Sequence, residues 1–289
     1  MSSHRLSILG VGLLGGSIGL ALRAAASDYE IIGYGHRPET LERARQVGAI
    51  DRAESELGRA VDGADLVILC TPVGRFREIL TGLAGSLKPG AVVTDVGSTK
   101  ASIVGLAGEI LPGGVSFVGS HPMAGSEKRG VEFARADLFR NALCILTPTL
   151  QTPPPAVETV DEFWQKLGMR TCRMTPADHD AALAEVSHLP HALAAALVTM
   201  QSDPAMNLAG KGFLDTTRIA GGDGALWRDI FVDNAANVRA ALAKVRGRLA
   251  EFERLLEPGR GEELRVWLDA AAERRQEVLR EKLRELTPD

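Results

Sequence analysis

The sequence predicts an α/β fold, a mainly parallel, doubly wound sheet followed by an all-α C-terminal domain. Three observations carry this. From Leu6 to about Thr175, short β-branched runs alternate with amphipathic stretches of helical length, the pattern of βαβ units. The runs are apolar throughout rather than at every second residue, as strands covered by helices on both faces require. Beyond Thr175 the sequence offers no convincing strand, so the domain boundary falls there, dividing 1–175 from 176–289.

The strands are expected at Leu6–Gly10, Glu30–Gly35, Asp65–Cys70, Ala91–Val96, Ser116–Gly119, Ala142–Thr147 and Met169–Met174. Thr152–Pro155 reads as a loop, because a helix and a strand follow before the change of class. Thr175, Pro176 and Asp178 supply a cap, a first-turn proline and an acidic first turn, so a helix starts there. Pro190 inside the next helical stretch cannot donate its backbone hydrogen bond and frees the Val186 carbonyl, which predicts a kink. Val238, Leu242, Val245, Leu249, Phe252 and Leu256 follow heptad spacing on a helix expected from Ala225 to Leu256, roughly 48 Å long. That is more seam than one small domain covers. A second copy of the chain is the expected partner; the alternative is burial against 262–286 of the same chain.

Composition excludes several classes of function. The 289 residues carry 33 basic and 37 acidic side chains, a net charge of −4, with no block of one sign that would mark a polyanion-binding stripe. Nucleic acid is not an expected partner. Cys70, Cys144 and Cys172 are odd in number and widely spaced, which fits neither a disulfide framework nor a metal pair and points to a reducing cytoplasm. No secretory leader is evident, and no apolar stretch of about 18 residues is expected to span a membrane.

Gly10-Val11-Gly12-Leu13-Leu14-Gly15 closes the first strand and opens a helix. Gly10 permits the tight turn, Gly12 lets a pyrophosphate approach the backbone, and Gly15 lets helix and strand pack closely. The first amides of the helix, including those of Leu13 and Leu14, are left to meet the anion. In this position the motif predicts a Rossmann-type dinucleotide-binding domain. At the end of the second strand stands Gly35-His36-Arg37, where an NAD enzyme places a carboxylate against the ribose hydroxyls. Without that carboxylate the choice between NAD and NADP leans to NADP, whose 2′-phosphate His36 and Arg37 are suited to pair. The plainer reading of Arg37 is a solvated residue before the next helix. Cys70-Thr71-Pro72, at the carboxyl edge of the sheet, is expected to border the nicotinamide ribose.

Asp95-Val96-Gly97-Ser98-Thr99-Lys100 ends the next strand, and Ser98 is placed to cap a helix while also facing a ligand. His121, in Ser120-His121-Pro122-Met123-Ala124-Gly125-Ser126 after a further strand, is a candidate base that titrates near neutrality. In the helical half, His188 and His191 share a helix face, whereas His179 lies on the opposite side and reads as structural. A zinc site built on the histidines is unsupported, since there is no HExxH and no third ligand at an obvious spacing.

Taken together, Gly10–Ser17, Asp95–Lys100, Ser120–Gly130, Thr175–Asp180, Ser187–Leu197 and Gly212–Ala220, in this order over nearly the whole chain, resemble the prephenate and arogenate dehydrogenases of tyrosine biosynthesis. The resemblance implies a Rossmann domain, a helical dimerisation domain and an active site between them. It also implies NAD(P)-dependent oxidative decarboxylation, prephenate giving 4-hydroxyphenylpyruvate and arogenate giving tyrosine. By their match to the family motifs, His121 is the expected base, and Ser98 orients the hydroxyl or the imidazole. His188, His191 and Arg218 are expected to hold the substrate carboxylates, Arg218 in a bidentate grip, with Ser126 beside the substrate. Asp215 is a candidate to orient Arg218; the simpler reading is an exposed loop aspartate. Gly35 departs from the commonest NAD-type pattern, which has aspartate. The chain length suggests neither a fused chorismate mutase nor a regulatory module, so tyrosine inhibition, if present, is expected at the active site.

Two rival readings share parts of this pattern. A β-hydroxyacid dehydrogenase or imine reductase of similar architecture relies on a lysine in the helical half, for which Lys211 is the nearby candidate. A nicotinamide-sensing protein without turnover binds cofactor and forms no product.

Overall fold

The computed structural model describes residues 4–126 and 128–286, the side chains of 284–286 apart. Glu127 of the Ser120–Gly130 motif and the two chain ends lie outside the described residues. Eight strands form one sheet: β1 Arg5–Leu9, β2 Glu30–Tyr34, β3 Arg52–Glu54, β4 Leu66–Leu69, β5 Val92–Asp95, β6 Ser116–Pro122, β7 Leu143–Thr147 and β8 Arg170–Arg173. Their order is β3-β2-β1-β4-β5-β6-β7-β8, and every neighbouring pair is parallel except β6 and β7.

The order reverses between β1 and β4, the switch point at which doubly wound sheets bind ligands beyond the carboxyl ends of their strands. Period-2 alternation divides the core. Leu66 and Ile68 join Leu6, Ile8, Val118 and Trp164 on one face, while Val67 and Leu69 join Leu9, Ile32, Phe76 and Val93 on the other. Both faces are covered by α1 Leu13–Ala24, α2 Pro38–Gln46, α3 Leu57–Val61, α4 Phe76–Leu83, α5 Ala101–Ile110 and α6 Pro154–Lys166.

Two strand expectations need correction. β3 was not foreseen because Arg52-Ala53-Glu54 is polar; it is an edge strand held by ion pairs from Arg52 to Glu30 and Glu54. The strand expected to stop at Gly119 continues through Ser120 and His121 to Pro122, because β7 pairs with it antiparallel and sets His121 opposite Ile145. His121 therefore sits on a strand, not in a loop, and is held more rigidly than the sequence suggested.

The helical half comprises α7 Pro176–Leu183, α8 Leu189–Thr199, α9 Asp203–Met206, α10 Lys211–Thr217, α11 Gly224–Asp233, α12 Ala235–Leu255 and α13 Gly261–Leu286. Thr175 caps α7, accepting from the Asp178 amide at 3.1 Å. The kink expected at Pro190 is a single wide π turn over Ala184–His188, which absorbs the missing donor without ending the helix. The helix expected from Ala225 to Leu256 is interrupted at Asn234, whose side chain bonds to other elements. The described residues up to Ala235 and those from Ala236 on form two compact units.

The 176–199 helix is long and apolar enough to cross a membrane, contrary to the expectation that no such stretch exists. The proline and the scattered acidic residues concealed it. Its buried His179, Asp180, His188 and His191 face protein instead of lipid.

Candidate active site

The site begins at the glycine turn. Gly10 has φ +108°, and a Cβ there would lie 2.9 Å from the Cys70 carbonyl, so the turn rests directly on Cys70-Thr71. A Cβ on Gly15 would meet the Gly10 oxygen at 2.1 Å, whereas one on Gly12 would meet nothing within 4 Å. Gly12 thus borders open space. It opens α1 with no side-chain cap, so the first amides of the helix remain available to an anion. Beside the turn, the Thr71 hydroxyl is buried without a partner. These features fit a dinucleotide pyrophosphate.

At the ribose end, Gly35 leads to exposed His36 and Arg37. His36, which the sequence offers to a 2′-phosphate, already has a partner. Its Nε2 accepts from the Arg75 guanidinium at 3.0 Å, and Arg75 also pairs with Glu78. The sequence did not single out Arg75 because it enters from another βα connection. Arg37 makes no side-chain hydrogen bond or ion pair with the described residues, and its backbone opens α2.

The centre of the site lies at the carboxyl ends of β5 and β6. Asp95 ends β5 and forms a fully buried ion pair with Lys100. Asp95 also accepts from the Gly97 amide at 2.8 Å and the Ser120 amide at 3.0 Å. Ser98 is not the cap that was expected. α5 starts later, and its first amides, those of Lys100 and Ala101, are capped from the helical half by the two oxygens of Asp180 at 2.8 Å each. The half-buried Ser98 hydroxyl is thereby left without a hydrogen bond among the described residues.

Asp180 also accepts from His179 Nδ1 at 2.8 Å, and His179 Nε2 lies 2.9 Å from His121 Nδ1. His179 is fully buried, so the histidine set aside as structural touches the candidate base. No spacing pattern announces a contact that spans 58 residues. Burial first, then His179, Lys100 and His188, push His121 well below the usual histidine range, so its imidazole is neutral.

The Asn234 amide nitrogen donates both to the Asp180 carbonyl at 2.7 Å and to His188 Nδ1 at 3.1 Å. His188 Nδ1 therefore accepts, and its proton sits on Nε2, which is buried without a partner. An N–H so placed awaits an oxygen. Burial, outweighing the opposing pull of Asp180, lowers His188 to about 4. His191 stacks on Trp227 with ring centroids 3.6 Å apart, and Gly222 leaves room for that pair.

Arg218 is exposed at the start of a 3₁₀ turn, Arg218–Gly221, and makes no ion pair among the described residues. Asp215 does not orient it, because Asp215 pairs with Lys211 one helical turn away at 2.8 Å. Ser126 is exposed in its loop and accepts from the Lys128 amide at 3.1 Å. An Arg129–Asp223 ion pair ties that loop to the N-terminus of α11, a link absent from the sequence reading. Among the described residues no three His, Cys, Asp or Glu side chains converge as a metal set.

Residues 18–173 match the prephenate dehydrogenase nucleotide-binding domain, and residues 175–270 match the prephenate dehydrogenase dimerization domain. The chain belongs to the prephenate dehydrogenase family. It is 35% identical over 237 residues to a cyclohexadienyl dehydrogenase of Zymomonas mobilis, covering 80% of each chain. The prephenate dehydrogenase of Aquifex aeolicus, solved with hydroxyphenyl propionate and NAD+, superposes with a TM-score of 0.90 at 36% identity, over 96% of this chain and 99% of that one. The Synechocystis arogenate dehydrogenase gives 0.83 at 32% identity, over 95% and 99%. This family member is a dehydrogenase with a nicotinamide cofactor.

Two outcomes follow from the geometry. Gly12→Ala should fold normally and lose dinucleotide affinity by about tenfold or more, whereas Gly15→Ala should lose about 3 kcal/mol of stability; titration calorimetry and chemical denaturation separate the two. His188 is held neutral, so its contribution to stability is complete above the unfolded value of 6.5 and is lost as pH falls toward about 4. Melting temperature should decline between about pH 6.5 and 4, less steeply in His188→Gln; identical slopes would remove His188 as a cause.

Proposed function

We propose that this chain catalyses the NAD(P)-dependent oxidative decarboxylation of prephenate to 4-hydroxyphenylpyruvate, of arogenate to tyrosine, or of both, within tyrosine biosynthesis. The observation that carries this reading is His121, a neutral imidazole fixed at the end of β6, on the same edge of the sheet as the dinucleotide turn and in contact with His179 of the helical half. The nicotinamide, when bound, accepts the hydride that leaves the ring carbon.

His121 takes the ring hydroxyl proton as the carbonyl forms. It returns the proton to that oxygen when loss of the ring carboxylate as carbon dioxide makes the ring aromatic. Ser98, whose hydroxyl is unengaged, orients the reacting oxygen or the imidazole. His188, through its unpartnered Nε2–H, and His191 and Arg218 hold the substrate's carboxylates. Ser126 lines the approach. The cofactor rests on Gly10, Gly12, Leu13, Leu14 and Gly15, with Cys70, Thr71 and Pro72 beside the nicotinamide ribose. On this reading base and cofactor belong to 1–175 and the carboxylate grips to 176–289.

We favour NADP over NAD, on the absence of a carboxylate at Gly35 and the presence of unpaired Arg37 directly after His36, which Arg75 contacts. A homodimer is the proposed assembly. In the heptad seam and on α13, Leu249, Leu256, Val266 and Leu268 are exposed in the single chain.

The test is an activity matrix of prephenate and arogenate against NAD and NADP, repeated with His121→Asn. Turnover of at least one ring substrate, reduced on the order of 10² to 10⁴-fold in the variant with cofactor affinity intact, is expected. Cofactor binding with no product from either substrate would overturn the reading.

A further inference from the structure

A base must present a lone pair to its substrate, and a histidine presents one only in the right tautomer. His121 has one ring nitrogen engaged, Nδ1 against His179 Nε2 at 2.9 Å. The other, Nε2, makes no hydrogen bond among the described residues and is not among the sealed polar atoms of the interior. What decides the tautomer is therefore the direction of the His121–His179 bond.

That direction is traceable to Asp180. Its carboxylate accepts three N–H bonds at 2.8 Å each, from His179 Nδ1, the Lys100 amide and the Ala101 amide. Burial alone would raise its carboxyl, but these bonds outweigh it and hold Asp180 below the usual carboxylate range. An ionised carboxylate only accepts, so the His179 proton must sit on Nδ1. A neutral His179 then has its lone pair on Nε2 and can only accept from His121.

We propose that Asp180 and His179 are positioning residues that fix the tautomer of His121: Asp180 holds the His179 proton on Nδ1, His179 Nε2 accepts the Nδ1 proton of His121, and His121 is left with its lone pair on Nε2. This rests on the reading of His121 as the base. The groups around His121 fit the assignment. Lys100 is neutralised by Asp95, and His188 carries its own proton on Nε2 under the hold of Asp180 and Asn234 through a separate set of bonds. Cys144, the neighbour of His121's strand partner Ile145, is buried with its thiol pushed up by burial and adds no charge. When His121 takes up the substrate proton, both of its nitrogens carry hydrogen. The bond to His179 Nε2 then becomes charge-assisted, with the Asp180 carboxylate behind it, and no proton needs to leave His121 until it returns to the ring oxygen.

The alternative is distinct. A doubly protonated His179 would donate to His121 Nδ1, leave the remaining His121 proton on Nε2, and offer the substrate no lone pair. The two cases are separated by long-range ¹⁵N–¹H correlation spectra of histidine-labelled full-length protein, with His121→Asn used to assign the signals. The expected result is an unprotonated Nε2 and a protonated Nδ1 on His121; the opposite pattern overturns the proposal, whether or not the chain turns over either ring substrate.

Variants supply the functional arm. His179→Phe keeps a ring but removes the acceptor, and should lower kcat on the order of 10²-fold with KM and cofactor affinity nearly unchanged. His179→Gln can still accept from His121 Nδ1 through its carbonyl oxygen and should recover much of that loss. Asp180→Leu, which removes the oxygen that accepts from His179 Nδ1 and the Lys100 amide, should release the tautomer and populate protonated Nε2 on His121. Equal kcat in His179→Phe and wild type, or a His121 tautomer unchanged in Asp180→Leu, would overturn the proposal. If neither ring substrate reacts in the wild type while the expected tautomer is seen, the functional reading fails and the tautomer assignment stands.

Discussion

The hydrogen bonds of one carboxylate organise the site. Asp180, near the start of the helical half, caps α5 at the carboxyl edge of the sheet and simultaneously holds His179. A helix N-terminus concentrates partial positive charge on unpaired amides, and a carboxylate is its natural complement. Here the complement comes from 80 residues away, so capping one helix also sets the position of another against the sheet. Without that bond there is no reason for His179 to meet His121, nor for Asn234 to find the Asp180 carbonyl.

From this arrangement follows an asymmetry between two histidines of the same site. His188 is met by an amide donor on Nδ1 and must carry its proton on Nε2, which makes it a donor toward any ligand. His121 is met by another imidazole whose own proton is held by a carboxylate, which under the proposal makes it an acceptor. Both are neutral for the same first reason, burial. In the proposed reaction the donor suits a carboxylate and the acceptor suits a hydroxyl. Residue type alone does not assign those roles; the atom on the far side of each ring does.

Much of this was legible in the sequence. The glycine turn, the strand ends at Asp95 and the motif around His121 mark a doubly wound sheet whose ligands gather at one edge, because βαβ alternation and glycine chemistry are local signals. What escaped was non-local. β3 is polar and was passed over because its stability comes from an edge position and ion pairs. β6 runs on through Ser120 and His121 only because β7 pairs with it in the antiparallel sense. Ser98 reads as a cap from its spacing, yet the cap is Asp180, a residue in another half of the chain. His179 reads as structural by helical geometry because the π turn before Pro190 cannot be seen in a regular 3.6-residue count. Arg75 came close to His36 through packing of separate βα connections, and Asp215 turned to Lys211, one helical turn back on α10.

The measurement that bears most directly on the whole account is a crystal structure of this protein with NADP and hydroxyphenyl propionate, the ring ligand already seen with the Aquifex enzyme. The ring hydroxyl should lie within hydrogen-bonding distance of His121 Nε2, with the propionate carboxylate gripped by groups of the helical half, Arg218 or the His188 and His191 pair. A ring bound with its hydroxyl turned away from His121, or a ligand seated where neither His121 nor Arg218, His188 and His191 reach it, would be the contradicting result.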